Sequence, residues 1–226
     1  MRELTGVLHE LGQDAGVRAI VLEGAGPAFS GGHDLGEMAG RDAAFYQELF
    51  AACTEMMQAV HAVPQPVIAR VHGIATAAAC QLVATCDLAV AAEDARFGTS
   101  GVKTGLFCTT PGVAVARTIG RKHALELLLT GELIDARTAL DWGLVNRVVP
   151  AERLDDSVAE FVDAIARLSP LAIAVGKQAF YGQIELDERR AYDLAQTVMT
   201  VNALAEDAQE GMCAFLEKRP AVWKGK

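Results

Sequence analysis

Apolar positions along the chain fall into two periods, and the alternation between them outlines the elements. Leu4, Val7, Leu8 and Leu11 recur at helical spacing, so residues 2–13 are expected to form an amphipathic helix with these four facing inward. Val17 to Glu23 (VRAIVLE) is a short apolar run rich in β-branched residues, the composition of a strand buried on both faces. Gly24 to Gly32 reads as loop, and residues 42–62 return to helical spacing. Pro64 and Pro66 bracket a break, after which Val67–Val71 and Leu88–Ala92 read as further buried strands. Beyond Pro111 the period is helical almost to the end, apart from a strand-like Leu144–Val149.

Strands that are apolar on both faces and separated by helices imply an α/β protein with a parallel sheet and crossover connections. From about Ser157 the helical spacing continues with no strand. The chain is therefore expected to divide into a core over 1–156 and a helical oligomerisation region over 157–226. A sheet of this kind rarely begins with a helix feeding a central strand. One or two strands are expected to precede Met1 in a longer form.

Composition narrows the function classes. The 226 residues are 51% apolar and 22% charged, enough for a packed core. No apolar run reaches the ~18 residues of a membrane span, and the N-terminus lacks the apolar stretch of a secretory signal. A net charge of −9 argues against nucleic acid and anionic membrane as partners. Five cysteines without a CxxC pair point to buried thiols in a reducing cytoplasm, with no disulfide frame and no metal site. The last nine residues, KRPAVWKGK, carry Lys218, Arg219, Lys224 and Lys226, either a solvated end or a phosphate contact.

Familiar catalytic motifs fail on inspection. The GxG of Gly24 and Gly26 lacks its third glycine, that position being Phe29. Ser30 in AFSGG stands seven residues past the strand end, too far for a nucleophile at a strand-to-helix turn. Two glycine- and alanine-rich loops remain, AFSGGHDL (28–35) and HGIATAAACQLVATCD (72–87), each following a buried strand. Small side chains there leave backbone N–H groups uncovered beside a helix start, where the dipole is positive. Two such donors aimed at one point make an oxyanion hole.

AFSGGHDLGEM and PVIARVHGIATAAACQLVATCDLAVAAEDARFG resemble the two signatures of the crotonase (enoyl-CoA hydratase/isomerase) superfamily. TPGV, IGRKHALELLLTGELIDARTALDWGLVNRVVP and QEGMCAFLEKRPAVWKG continue the resemblance over almost the whole chain. It implies a spiral of ββα units with a C-terminal helical region, assembled as a homotrimer or a hexamer. It also implies an acyl-CoA thioester as substrate, with no separate cofactor. The two oxyanion donors fall on the backbone N–H of His33 and of Ala78. Gly31, Gly32, Asp34 and Leu35 match the stretch that meets the adenine of CoA. AFLEK matches a segment that reaches a neighbour's CoA site, placing Phe215 against adenine and Lys218 near phosphate, which turns the basic tail toward binding.

Three positions depart from the family pattern. Hydratases of the family hold a water between two glutamates; the matching positions are Gln81 and Gly101. Isomerases that use a later carboxylate have it where this chain has Thr109. None of the three can serve as a general base, a contribution worth about 10²–10⁴ in rate. The expected pocket holds His33, Gln81, Cys108, Thr109 and Thr110 beside the two donors, and His33 alone titrates near pH 7. Three functions fit this inventory: an enoyl-CoA hydratase-like enzyme with altered hydration, a decarboxylase of malonyl-type acyl-CoA, and a non-catalytic acyl-CoA-binding protein. A pocket without carboxylates would suit the decarboxylase's anionic substrate.

Overall fold

The computed structural model describes residues 1–226, which form eleven α-helices and seven short strands. In chain order the first half runs α1 (Arg2–Gln13), β1 (Ile20–Glu23), α2 (Leu35–Met38), α3 (Ala43–Ala62), β2 (Val67–Val71), β3 (Ile74–Thr76), α4 (Ala78–Thr85), β4 (Leu88–Ala92) and β5 (Arg96–Gly98). The second half adds α5 (Thr109–Ile119), α6 (Arg121–Thr130), β6 (Ile134–Asp135), α7 (Ala136–Asp141) and β7 (Arg147–Val149). The helices α8 (Leu154–Ala166), α9 (Pro170–Gln183), α10 (Glu188–Ala203) and α11 (Glu206–Glu217) complete it.

The strands β1, β2, β4 and β7 form one all-parallel sheet in that spatial order. A second sheet, β3-β5-β6, stands beside it, and its β5–β6 pair is antiparallel. Strand pairs β2/β3 and β4/β5 each give one member to either sheet, so the chain advances as a spiral of ββα turns. The second sheet escapes a reading of the sequence because its strands span only two or three residues. The buried strand expected over Val17–Glu23 is confined to Ile20–Glu23, and the one over Leu144–Val149 to Arg147–Val149. Leu144 and Val145 are buried in the preceding turn, which accounts for their apolar character.

Local chemistry sets the helix boundaries. Asp42 caps α3 by accepting from the Phe45 N–H at 2.9 Å, and Asp135 caps α7 through Thr138. Ser169 caps α9, with Pro170 in the first turn, where its missing N–H costs nothing. On α1, Leu8 is fully buried with Leu4 and Leu11 beside it, whereas Val7 turns outward. The main core lies between the sheets and α4–α7, with Val71, Phe97, Val115 and Leu127 almost fully enclosed. Burial of each such side chain contributes about 1.5–3 kcal/mol.

A buried polar knot fastens α9 to this core. The Lys177 ammonium lies 2.7 Å from the Asp87 carboxylate and donates to the carbonyls of Val60 and Gln65. Asp87 also accepts from the Val67 N–H at 2.6 Å and the Tyr181 hydroxyl at 2.7 Å. His61 stacks on Tyr181 with ring centroids 3.8 Å apart. Burial pushes the Lys177 ammonium below its ordinary value even with the Asp87 charge beside it. The C-terminal tail is pinned as well: Asp207 accepts from Ser169 and from the main chain of Lys224 and Gly225. No helix is long and apolar enough to cross a membrane.

Candidate active site

The two small-residue loops meet because the first one pairs with β3. At Gly24, a Cβ would lie 2.2 Å from the Phe29 carbonyl oxygen, so only glycine lets the loop close on itself after β1. Ser30 then forms a parallel bridge with Ala75: its N–H donates to Ile74 and its carbonyl accepts from Thr76. Gly32 follows at φ +91°, so close to the second loop that a Cβ would lie 3.2 Å from the Ala78 nitrogen. The His33 N–H, one peptide further on, is thereby carried to the start of α4.

That start is strained. Ala77 holds φ +53° and ψ −119°, a conformation suited to glycine, and its N–H donates to the Gly98 carbonyl at 2.9 Å. The turn leaves Ala78 as the first residue of α4, with its N–H at the positive end of the helix. Neither the His33 nor the Ala78 N–H donates to any main-chain carbonyl. Two uncommitted donors, on loops in van der Waals contact, suit a carbonyl oxygen that gains charge during reaction.

Two cavities meet here. The first, about 190 Å³, has His33, Ala78, Gly31, Leu35, Gly101, Cys108, Thr109 and Thr110 on its wall. Met38, Phe50, Leu106, Phe107 and Pro111 complete its apolar side. No Lys, Arg, Asp or Glu side chain reaches it. The second, about 430 Å³, lies between α1, β1 and α3 and shares His33, Met38 and Ala78; Gly32 and Asp34 line it. Asp34 is also occupied locally, accepting from the Gly36 N–H at 2.8 Å to cap α2.

Burial holds the His33 imidazole below its ordinary pKa, so it is neutral at pH 7. Its Nε2 is enclosed without a hydrogen-bond partner, and Phe50 packs edge-on at 5.9 Å between centroids. Burial likewise raises the Cys108 thiol, an effect opposed by a bond from the Gly101 main chain. Cys80, behind the site, is pushed up to about 12. The expectation of uniformly buried thiols fails at Cys213, which is exposed on α11.

Several expected site residues lie elsewhere. Gln81 lines neither cavity; it is 5% exposed and its Oε1 faces the Cys53 thiol of α3 at 3.9 Å. The turn of α4 that aims Ala78 outward carries Gln81 into the α3 packing. Gly101 lines the first cavity, but a Cβ there would lie 2.4 Å from the Leu106 carbonyl oxygen and 2.7 Å from Cys108 Sγ. Residues 106–108 already fill the space a side chain would need. Phe215 is 83% exposed on α11, and Lys218 ends that helix at φ +55°; neither lines either of these two cavities. Arg219 and Lys224 are spent on Glu210 and Glu206, so the basic tail offers less free charge than its composition implies. Met38 and Phe50 were not legible as site residues, since both sit at ordinary helical core spacing.

The model of the enoyl-CoA hydratase/isomerase family matches residues 1–226. The chain belongs to that family. The enoyl-CoA hydratase domain-containing protein 3, mitochondrial, of Rattus norvegicus is 45% identical over 218 residues, covering 96% of this chain and 72% of the relative. The 2,3-dehydroadipyl-CoA hydratase of Escherichia coli is 32% identical over 227 residues, covering 100% of this chain and 88% of the relative. The crystal structure of an enoyl-CoA hydratase from Mycobacterium smegmatis superposes with a TM-score of 0.96 at 52% identity, covering 98% of this chain and 87% of that one. This enoyl-CoA hydratase/isomerase family member therefore has the mixed α/β crotonase fold expected from its signatures.

Proposed function

We propose that this family member is a lyase-type enzyme acting on acyl-CoA thioesters, with the main-chain N–H groups of His33 and Ala78 holding the thioester oxygen as it gains charge. The observation that carries this reading is the pair of uncommitted donors on loops locked together at Gly32 and the strained Ala77. A hydration step that depends on two carboxylates finds none: Gln81 faces Cys53 and Gly101 is hemmed in. The first cavity favours an uncharged acyl group. A malonyl-type carboxylate buried there would meet no cation and a neutral imidazole, at a cost of several kcal/mol. The lack of acids alone would fit the decarboxylase reading; the lack of cations opposes it.

The exposed apolar side chains of α10, α11 and the turn between them, among them Tyr192, Met199, Leu204, Phe215 and Leu216, support self-association as a trimer or hexamer. Five unpaired thiols fit a reducing compartment, the cytoplasm or the organelle named for the vertebrate relatives. The test of the donor pair is the double variant Ala77→Gly/Ala78→Pro, with Ala77→Gly alone as control. Glycine accepts the left-handed φ, and proline suits the first helical position while deleting the N–H. Crotonyl-CoA bound to the wild type and to the control should show a red-shifted enoyl absorbance. The double variant should keep its circular dichroism and lose the shift; an unchanged shift would remove Ala78 from the site.

A further inference from the structure

The apolar side of the first cavity is formed by Leu35, Met38, Phe50, Leu106, Phe107 and Pro111. Two of these are phenyl rings and a third is a thioether, side chains that favour an aromatic guest beyond the area it buries. Leu35, Leu106 and Phe107 are exposed, three large apolar side chains on the wall of one cavity with nothing of the chain over them. Such bare apolar surface marks the place of a ligand. The wall is also held in place. The Leu106 N–H donates to the Gly101 carbonyl at 3.0 Å, and the Phe107 carbonyl accepts from the Thr109 N–H at 2.7 Å. Tyr46 stacks on Phe50 at 6.4 Å between centroids and donates its hydroxyl to the Met38 carbonyl at 2.7 Å.

Resting on the donor-pair reading, we propose that the acyl group of the substrate carries an aryl ring, seated against Phe50, Phe107 and Met38 while the thioester oxygen meets the two N–H groups. The size fits. An apolar cavity of about 150 Å³ accepts benzene, so about 190 Å³ holds a phenyl ring and part of its link to the thioester carbon. A preformed wall suits a rigid guest, because a linear chain of equal carbon count loses more rotational freedom in meeting it. An unsubstituted ring also needs no counter-charge, and the wall has no Lys, Arg, Asp or Glu to offer one. The ring's edge and face give directional contacts with Phe50 and Phe107 that a linear chain cannot make, each worth about 2–10-fold in affinity.

Titration calorimetry with 3-phenylpropanoyl-CoA and nonanoyl-CoA tests the inference. The two esters have equal carbon counts, and both are saturated and so immune to hydration. Wild type should bind the aryl ester about tenfold more tightly. Phe107→Leu keeps an apolar side chain at an exposed position and should cut that preference to about threefold or less, by weakening the aryl ester while the linear one stays within about twofold. Phe107→Tyr keeps the ring and should keep the preference. Phe50→Leu should act as Phe107→Leu does, with circular dichroism and urea unfolding to show that the helix packing survives. A wild-type preference under about twofold would overturn the proposal, as would a preference unmoved in both leucine variants or no binding of either ester. The red shift of bound cinnamoyl-CoA reports on the donor pair separately. If the Ala77→Gly/Ala78→Pro variant keeps that shift while the leucine variants lose the preference, the donor reading fails and the ring site stands. If the shift is lost there but wild type shows no preference, the ring site alone fails.

Discussion

Gly101→Ala tests whether the pocket wall has closed over the position where paired-glutamate relatives carry an acid. The added methyl carbon would sit 2.4 Å from the Leu106 carbonyl oxygen and 2.7 Å from Cys108 Sγ, against an ordinary contact of 3.4–4 Å. The carbonyl must therefore retreat by 3.4 − 2.4 = 1.0 Å and the sulfur by 3.4 − 2.7 = 0.7 Å. Leu106 cannot retreat freely, because its N–H donates to the Gly101 carbonyl at 3.0 Å. Overpacking costs about 1–3 kcal/mol and a weakened hydrogen bond about 1 more, offset by about 0.4–1 from the stiffer unfolded chain. The net expectation is a loss of about 1–3 kcal/mol, or roughly 2–12 °C in Tm at this chain length. Urea and thermal unfolding measure it, with Gly6→Ala as control, since nothing lies within 4 Å of a Cβ there. The control should hold or gain stability. If Gly101→Ala stays within about 0.5 kcal/mol of wild type, the wall yields and the steric argument is wrong. By the same reasoning Gly101→Glu, alone or with Gln81→Glu, should fail to raise crotonyl-CoA hydration, because the first carboxylate has no room and the second would face Cys53.

The remaining expectations concern the C-terminal helices. Lys177→Met should cost about 3–5 kcal/mol by leaving the Asp87 carboxylate buried without its cation, and Lys177→Met/Asp87→Asn should cost less than the sum of the two single changes. Additivity within about 0.5 kcal/mol in denaturant unfolding would deny the coupling. Lys218→Glu should raise the dissociation constant for CoA esters about 10–100-fold, the loss expected for a charged hydrogen bond, without altering the circular dichroism. Unchanged affinity by titration calorimetry would remove Lys218 from CoA binding.

What the sequence disclosed followed from how strongly each element constrains its own residues. β2 and β4 must be apolar on both faces, so VIARV and LAVAA stood out, and the helical spacing over residues 42–62 gave α3. β3, β5 and β6 use two or three residues apiece, too few for any period to register, and Arg96-Phe97-Gly98 carries no strand signature of its own. The small-residue loops were visible in the sequence, the resemblance put the two donors on His33 and Ala78, and the fold leaves both N–H groups without a main-chain acceptor. The orientation of Gln81 and the crowding at Gly101 depend on contacts with Cys53 and Leu106, which spacing along the chain does not encode. One signal was present and passed over: Lys177 is a lone charge in the apolar run LAIAVGKQAFYG, where a solvated lysine would be out of place.

The Asp87 knot bears on how the protein is made. Asp87 and Tyr181 are separated by 94 positions, and Lys177 comes only shortly before the tyrosine. At translation rates of about 5–20 residues per second, the acid leaves the ribosome roughly 5–20 s before its hydroxyl partner does. Through that interval the strands β2 and β4 can pair, while a carboxylate between them waits for a cation that has not yet been synthesised. The nascent core must therefore stay hydrated around Asp87, and its final drying coincides with the arrival of α9.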